Sequence, residues 1–177
     1  HFKMDKVNEE NILWSDSQYR FERMLELLTK NTPLDPTSAT QILRDTRGKE
    51  DAFIGYGNPK SINQLLAHHG VLFQPTENVF WVSSNPYTLG TFIKYPLDSI
   101  LAQPSVTVYS TIPADTLLTS NDFYKFELFK RTKQRIQIHL LSGKALKLSS
   151  EEIQAFIQNN PESYLPYVLL GDYFLKR

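Results

Sequence analysis

His69-Gly-Val-Leu-Phe-Gln-Pro-Thr-Glu-Asn-Val-Phe-Trp-Val-Ser-Ser-Asn-Pro-Tyr-Thr-Leu-Gly-Thr-Phe-Ile-Lys-Tyr-Pro-Leu97 decides the fold class of this chain. It reads as consecutive β-strands at about Gly70 to Gln74, Val79 to Ser84 and Thr91 to Tyr95, rich in the β-branched and aromatic residues that suit a pleated surface. Pro75-Thr76-Glu77-Asn78 supplies the turn of an antiparallel hairpin. Asn85-Pro86-Tyr87 begins the connection to the third strand. Pro96 has no N–H to donate and so favours a sheet edge or a strand end. Two of the three strands are apolar on both faces, whereas a sheet wetted on one side alternates. A sheet of this kind must be covered on both sides, which predicts a layered sandwich.

Upstream of the strands the pattern is helical. Phe21, Met24, Leu25 and Leu28 recur at i, i+3, i+4 and i+7 between Ser15 and Asn31, with Arg20, Glu22, Arg23 and Glu26 on the other face. Ser15 or Ser17 can cap the first turn, and Pro33 ends the helix. Asp35-Pro36 starts a second helix that buries Ala39, Ile42 and Leu43, with Gly48 as its terminator. Residues 48–60 are loop-like. Ser61 to His68 fits either a helix, through Ile62, Leu65 and Leu66, or an irregular strand.

Downstream, the character changes around Gln103-Pro104, which sets a boundary between an α+β body at 1–103 and a helical extension at 104–177. Val106, Val108 and Tyr109 can add a short strand. Ser120 or Asn121 caps a long helix to about Ser142, with Phe126, Phe129, Ile136 and Leu140 on one seam and Gly143 ending it. Ser149 and Glu152 form a capping box ahead of Ile153, Phe156 and Ile157. Asn160-Pro161 opens a last helix with Tyr164, Tyr167, Val168, Leu170, Tyr173 and Phe174.

The bulk properties exclude several function classes. With 177 residues and 41% hydrophobic content the chain can build one core. A formal net charge of zero gives no electrostatic case for nucleic acid or an anionic membrane surface. No apolar run reaches the length of a transmembrane helix, and the N-terminus lacks the apolar stretch of a signal peptide. Cysteine is absent, which removes disulfides, thiolate metal sites and a cysteine nucleophile from these residues. His1-Phe2-Lys3-Met4 lacks an initiator Met, and its simplest reading is a fragment or a processed chain.

Four residues are candidates for chemistry. His68 and His69 carry imidazoles, the usual base or metal ligand near neutral pH. Adjacent strand residues point to opposite faces, and no further His or Cys stands at ligand spacing, so no metal or cofactor is expected. One core histidine and one surface histidine is the plainer reading. Asn63 and Asn85 can donate an amide to an oxyanion, and each also fits a turn. Arg44-Asp45 can orient a loop through an ion pair, although an exposed pair of that kind contributes little. Lys130, Arg131, Lys133 and Arg135 spread around a helix as a solvated face, and Gly55-x-Gly57 lacks the strand and third glycine of a phosphate loop.

Several segments in order resemble one family. Tyr19-Arg20-Phe21-Glu22-Arg23 begins a helix, Ile42-Leu43-Arg44-Asp45 ends the next, and Ser61-Ile62-Asn63 follows a glycine-rich loop. His69-Gly-Val-Leu-Phe-Gln-Pro, Val79-Phe-Trp-Val-Ser and Gly90-Thr-Phe-Ile-Lys-Tyr-Pro-Leu97 complete the series. Over residues 11–100 this order is similar to the C-terminal part of the acyl-coenzyme A:6-aminopenicillanic acid acyltransferase-like (peptidase C45) proteins, which are N-terminal-nucleophile hydrolases. The resemblance implies an αββα sandwich and autoproteolysis that exposes an N-terminal cysteine, whose own amino group serves as base for attack on an amide. It casts this chain as the C-terminal segment of an amide hydrolase or acyltransferase, or as the surviving part of a degenerate member. The nucleophile comes from an upstream chain segment, the substrate is a small amide or acyl compound, and this segment alone is not catalytic. Asn63, His68, His69 and Asn85 then become oxyanion or substrate contacts.

The last helix lies outside that resemblance. Asn160-Pro161-Glu162-Ser163-Tyr164 with Leu169-Leu170-Gly171-Asp172-Tyr173 resembles the first helix of a tetratricopeptide unit. The alternative function is therefore a non-catalytic interaction module that presents Tyr164, Tyr167, Tyr173 and Phe174. Exposure of these aromatics favours that alternative, and full burial removes it.

Overall fold

The computed structural model describes residues 9, 10, 12, 15–102 and 110–176, with Ser99 and Leu101 described by their backbone. The N-terminal His1 to Met4, the boundary at Gln103-Pro104 and the strand expected at Val106, Val108 and Tyr109 lie outside these residues. The fold is α+β. In chain order it runs α1 (Asp16–Lys30), α2 (Pro36–Leu43), β1 (Val71–Gln74), β2 (Val79–Ser83), β3 (Phe92–Pro96), α3 (Leu97–Ala102), β4 (Thr111–Ile112), α4 (Asn121–Ser142), α5 (Ser150–Gln158) and α6 (Leu165–Lys176).

The strands form one antiparallel sheet in the order β1-β2-β3-β4. Its register places Leu72 opposite Trp81 and Trp81 opposite Lys94, with Phe73, Phe80 and Tyr95 aligned on the reverse face. Because side chains alternate along each strand, the two faces have separate fates. Trp81, Phe92 and Ile112 are buried together, packed by Leu72 and by Leu43 of α2. On the reverse face Phe73 is 72% exposed and Val71 40% exposed, and Phe80, Val82, Ile93 and Tyr95 are half-buried. Phe73, Phe80 and Tyr95 nevertheless form a ladder, with ring centroids 6.3 and 5.3 Å apart. The sheet is apolar on both faces, as its sequence requires, but only one face is fully covered.

A second core joins α4, α5 and α6. Phe126, Phe129 and Ile136 of α4 pack with Phe156, Leu170 and Tyr173, and the Phe129 and Phe156 rings stack at 5.0 Å. Leu65 and Leu89, on the loops before and after the hairpin, are fully buried in the same cluster. The helix ends follow the sequence closely. Ser120 accepts from Phe123 N–H, Gly143 closes α4 in the left-handed region, and Ser149 with Glu152 makes the reciprocal capping box.

Other expectations need correction. Only half of the apolar stripe of α1 turns inward: Met24 and Leu28 are half-buried, but Phe21 is 56% and Leu25 48% exposed, while Arg23 is 1% exposed. Arg23 faces inward because its guanidinium forks onto Asp45 and also reaches Asp51. Periodicity reveals that a stripe exists, and the ion network decides which side packs. Helix α2 has the expected Asp35 cap but ends at Leu43, ahead of Gly48, which instead precedes the short 3-10 turn Lys49–Asp51. Ser61 to His68 is neither helix nor strand. Helix α6 starts at Leu165 and not at Asn160-Pro161. Buried Asn160 accepts from Tyr56 N–H and donates to Tyr56 O, at 3.0 and 2.8 Å, and this pins the residues that would have begun the helix. Helix α3 and strand β4 had no clear signal in the sequence.

Candidate functional site

Asn63 lies at the junction of three loops. It is 4% exposed; its backbone N–H donates to Asp45 O at 2.8 Å, and its Oδ1 accepts from Leu65 N–H at 3.0 Å. Its Nδ2 donates to Tyr87 O at 2.9 Å. A buried amide with both ends engaged fixes the positions of the loops around it. Ser61 Oγ extends this network by donating to Asn58 O and Asn63 O.

The loop that Asn63 holds connects β2 to β3. Asn85-Pro86 is a cis peptide, and Tyr87 and Thr88 both have positive φ. Gly90 follows with no room for a side chain, since a Cβ there would meet the backbone carbonyl of Ser84. Arg44, at the end of α2, clamps the loop from beneath. Its Nη2 donates to Gly90 O at 2.8 Å and Pro113 O at 2.9 Å, and longer bonds reach Thr88 O and Leu89 O. Arg44 is 5% exposed, and burial lowers its guanidinium pKa from the ordinary arginine value. Arg44 and Asp45 are thus not the exposed pair expected: each serves a different partner, Arg44 the loop carbonyls and Asp45 the Arg23 fork.

On the far side of the same loop, Tyr87 joins α4. Glu127 Oε1 accepts from Tyr87 Oη and Lys130 Nζ, both at 3.0 Å, and Lys130 contacts the Tyr87 hydroxyl directly. The Lys130 ammonium lies over the Tyr87 ring, and burial lowers its pKa. Lys130 and Lys133 are consequently half-buried rather than members of a solvated basic face.

The remaining candidates are not drawn into this network. His68 and His69 are exposed on the approach to β1 and make no hydrogen bond with a described residue, and Asn85 is exposed at the tip of the loop. Among the described residues no group of three His, Cys, Asp or Glu side chains could hold a metal ion. None of the described Ser or Thr hydroxyls is hydrogen-bonded to a histidine, so no activated hydroxyl nucleophile of that kind is present among them. The loop clamp built by Asn63, Arg44 and Tyr87 is a positioning device. The sequence offers Asn63 as an amide donor and Arg44 as one half of a loop-orienting ion pair; Arg44 does hold a loop, but through backbone carbonyls and without Asp45, and Tyr87 carries no such signal.

No family model, curated protein or solved structure matches the chain. None of the described helices is long and apolar enough to cross a membrane.

Proposed function

We propose that this chain is the C-terminal segment of an N-terminal-nucleophile amide hydrolase or acyltransferase, completed by an upstream segment that carries the cysteine nucleophile. The observation that carries the reading is the open apolar face of the sheet, where Phe73, Phe80 and Tyr95 make an aromatic ladder with Phe73 72% exposed. An αββα sandwich covers such a face with a second sheet. The outward apolar stripe of α1, with Phe21 and Leu25, asks for cover in the same way. Fully burying each large side chain stabilises the assembly by about 1.5–3 kcal/mol. The clamp of Asn63 and Arg44 then holds the β2–β3 loop as one wall of the substrate pocket, with His68, His69 and Asn85 at exposed positions where a substrate or the missing layer can reach them.

The test is turnover of simple acyl amides by the 177-residue chain alone and by the intact protein that contains it. The chain alone is expected to be inactive, and hydrolysis by it would refute the reading. The non-catalytic alternative has an observation of its own: Tyr164, Tyr167 and Phe174 are 48%, 56% and 51% exposed, whereas Tyr173 is buried. With Val168, Tyr167 and Phe174 form a stripe along α6 at helical spacing, and Tyr164 stands just ahead of its first residue, as a surface for a second helix requires. Deleting that stripe while retaining amide turnover would separate the two activities.

A further inference from the structure

The residues joining α2 to the 3-10 turn at Lys49–Asp51, together with parts of α1 and α2 and with Asp115, line an open cavity of about 310 Å3, at the lower end of the range for small-molecule sites. Arg23, Arg44, Arg47, Asp45, Asp51 and Asp115 line it. The formal charges balance, but the pairing does not. Asp45 and Asp51 are both engaged with Arg23, at 2.9 and 2.7 Å. Asp115 accepts Leu117 N–H at 2.8 Å, as the cap of a helical turn. Arg44 forms no ion pair among the described residues; its Nε and Nη2 meet only backbone carbonyls, and its Nη1 has no hydrogen-bond partner among them. Arg47 likewise forms no ion pair among them and rests its guanidinium 5.2 Å from the centre of the Phe53 ring.

Burial disfavours the charged Arg44 guanidinium, the nearby Asp115 carboxylate offsets that only in part, and an anion that pairs with Arg44 offsets more of it. The planar fork of arginine suits carboxylate and phosphate oxygens. We propose that this cavity binds a small oxyanion, a carboxylate or a phosphate, held between Arg44 and Arg47. Arg44 supplies its free Nη1 from the floor while its other nitrogens stay on the β2–β3 loop. Arg47 closes over the ligand from the rim, with Phe53 restricting its rotamers. The site needs neither an upstream segment nor amide chemistry, so it stands or falls separately from the proposed function.

The experiment is isothermal titration of the 177-residue protein with sodium phosphate and, separately, with sodium acetate, at an ionic strength fixed with chloride. At least one of the two should saturate, with the Nε–H resonances of Arg44 and Arg47 shifting at the same midpoint. Arg47→Gln should weaken binding about tenfold, as expected for loss of one charge-assisted contact. Arg131→Gln, an exposed position on α4, should leave it unchanged. Saturation by phosphate alone assigns a phosphorylated ligand, and saturation by acetate alone a carboxylate. The proposal is overturned if neither anion saturates, or if a folded Arg47→Gln protein binds as tightly as the parent.

Discussion

Arg23 shows how a single residue can reverse the reading of a helix. Its guanidinium is 1% exposed and meets three carboxylates, Glu26, Asp45 and Asp51, at 2.7–3.0 Å. Removing one partner of such a network strands the others, so Arg23→Ala should lower stability by about 3–5 kcal/mol, measured by urea unfolding. Stability should also depend on acid in a defined direction. Lys30, then the Glu50 N–H, holds the Glu26 carboxyl well below its ordinary range, at about 2, and Arg23 with Lys30 lowers Asp51. The folded state binds fewer protons than the unfolded chain in this interval, so the contribution is complete above about pH 4.5 and is lost as pH falls toward about 2. Glu26→Gln should make the urea midpoint fall less steeply between those values, leaving the part that Asp51 contributes. Asn63→Ala would leave Tyr87 O and Leu65 N–H without their partner, at a cost of about 2–4 kcal/mol. The same urea titration measures it.

At the level of elements, local chemistry was the most legible part of the sequence. The caps at Asp35, Ser120 and Ser149, the three strands and the stop at Gly143 all stand within a residue or two of where turn and capping rules put them. What failed was everything set by partners distant in the chain. The facing of α1 depends on Asp45 and Asp51, 22 and 28 residues away, and the late start of α6 depends on Asn160 reaching Tyr56, 104 residues away. The candidate site was readable as an asparagine with a donor amide and an arginine able to orient a loop, but not as one clamp with Tyr87, because the arginine bonds to carbonyls 44–46 residues downstream and not to its neighbour Asp45. The clamped loop gives a prediction at this scale. Gly90→Ala drives a methyl group into the Ser84 backbone, and such overpacking should cost about 1–3 kcal/mol. Chemical denaturation checks the value, and unchanged stability would show that the loop can move away.

For the molecule as a whole, the decisive property is that its apolar faces are not all covered. The bundle of α4, α5 and α6 encloses Leu65 and Leu89, so the hairpin loops and the helices share a core. The ladder of Phe73, Phe80 and Tyr95 and the α1 stripe at Phe21 and Leu25 remain outward. An exposed face with an edge strand invites self-association. Phe73→Ser, at a position already 72% exposed, should therefore reduce aggregation of the isolated chain while changing its unfolding midpoint little. Light scattering and urea titration together test this. Under the proposed function, the same substitution in the intact protein should weaken docking of the proposed upstream layer. The most direct measurement is N-terminal sequencing of the mature intact protein, combined with amide turnover before and after treatment with iodoacetamide. A chain cleaved immediately ahead of a cysteine, with turnover abolished by alkylation, is the predicted result. An uncleaved protein without that cysteine, or turnover that survives alkylation, would contradict it.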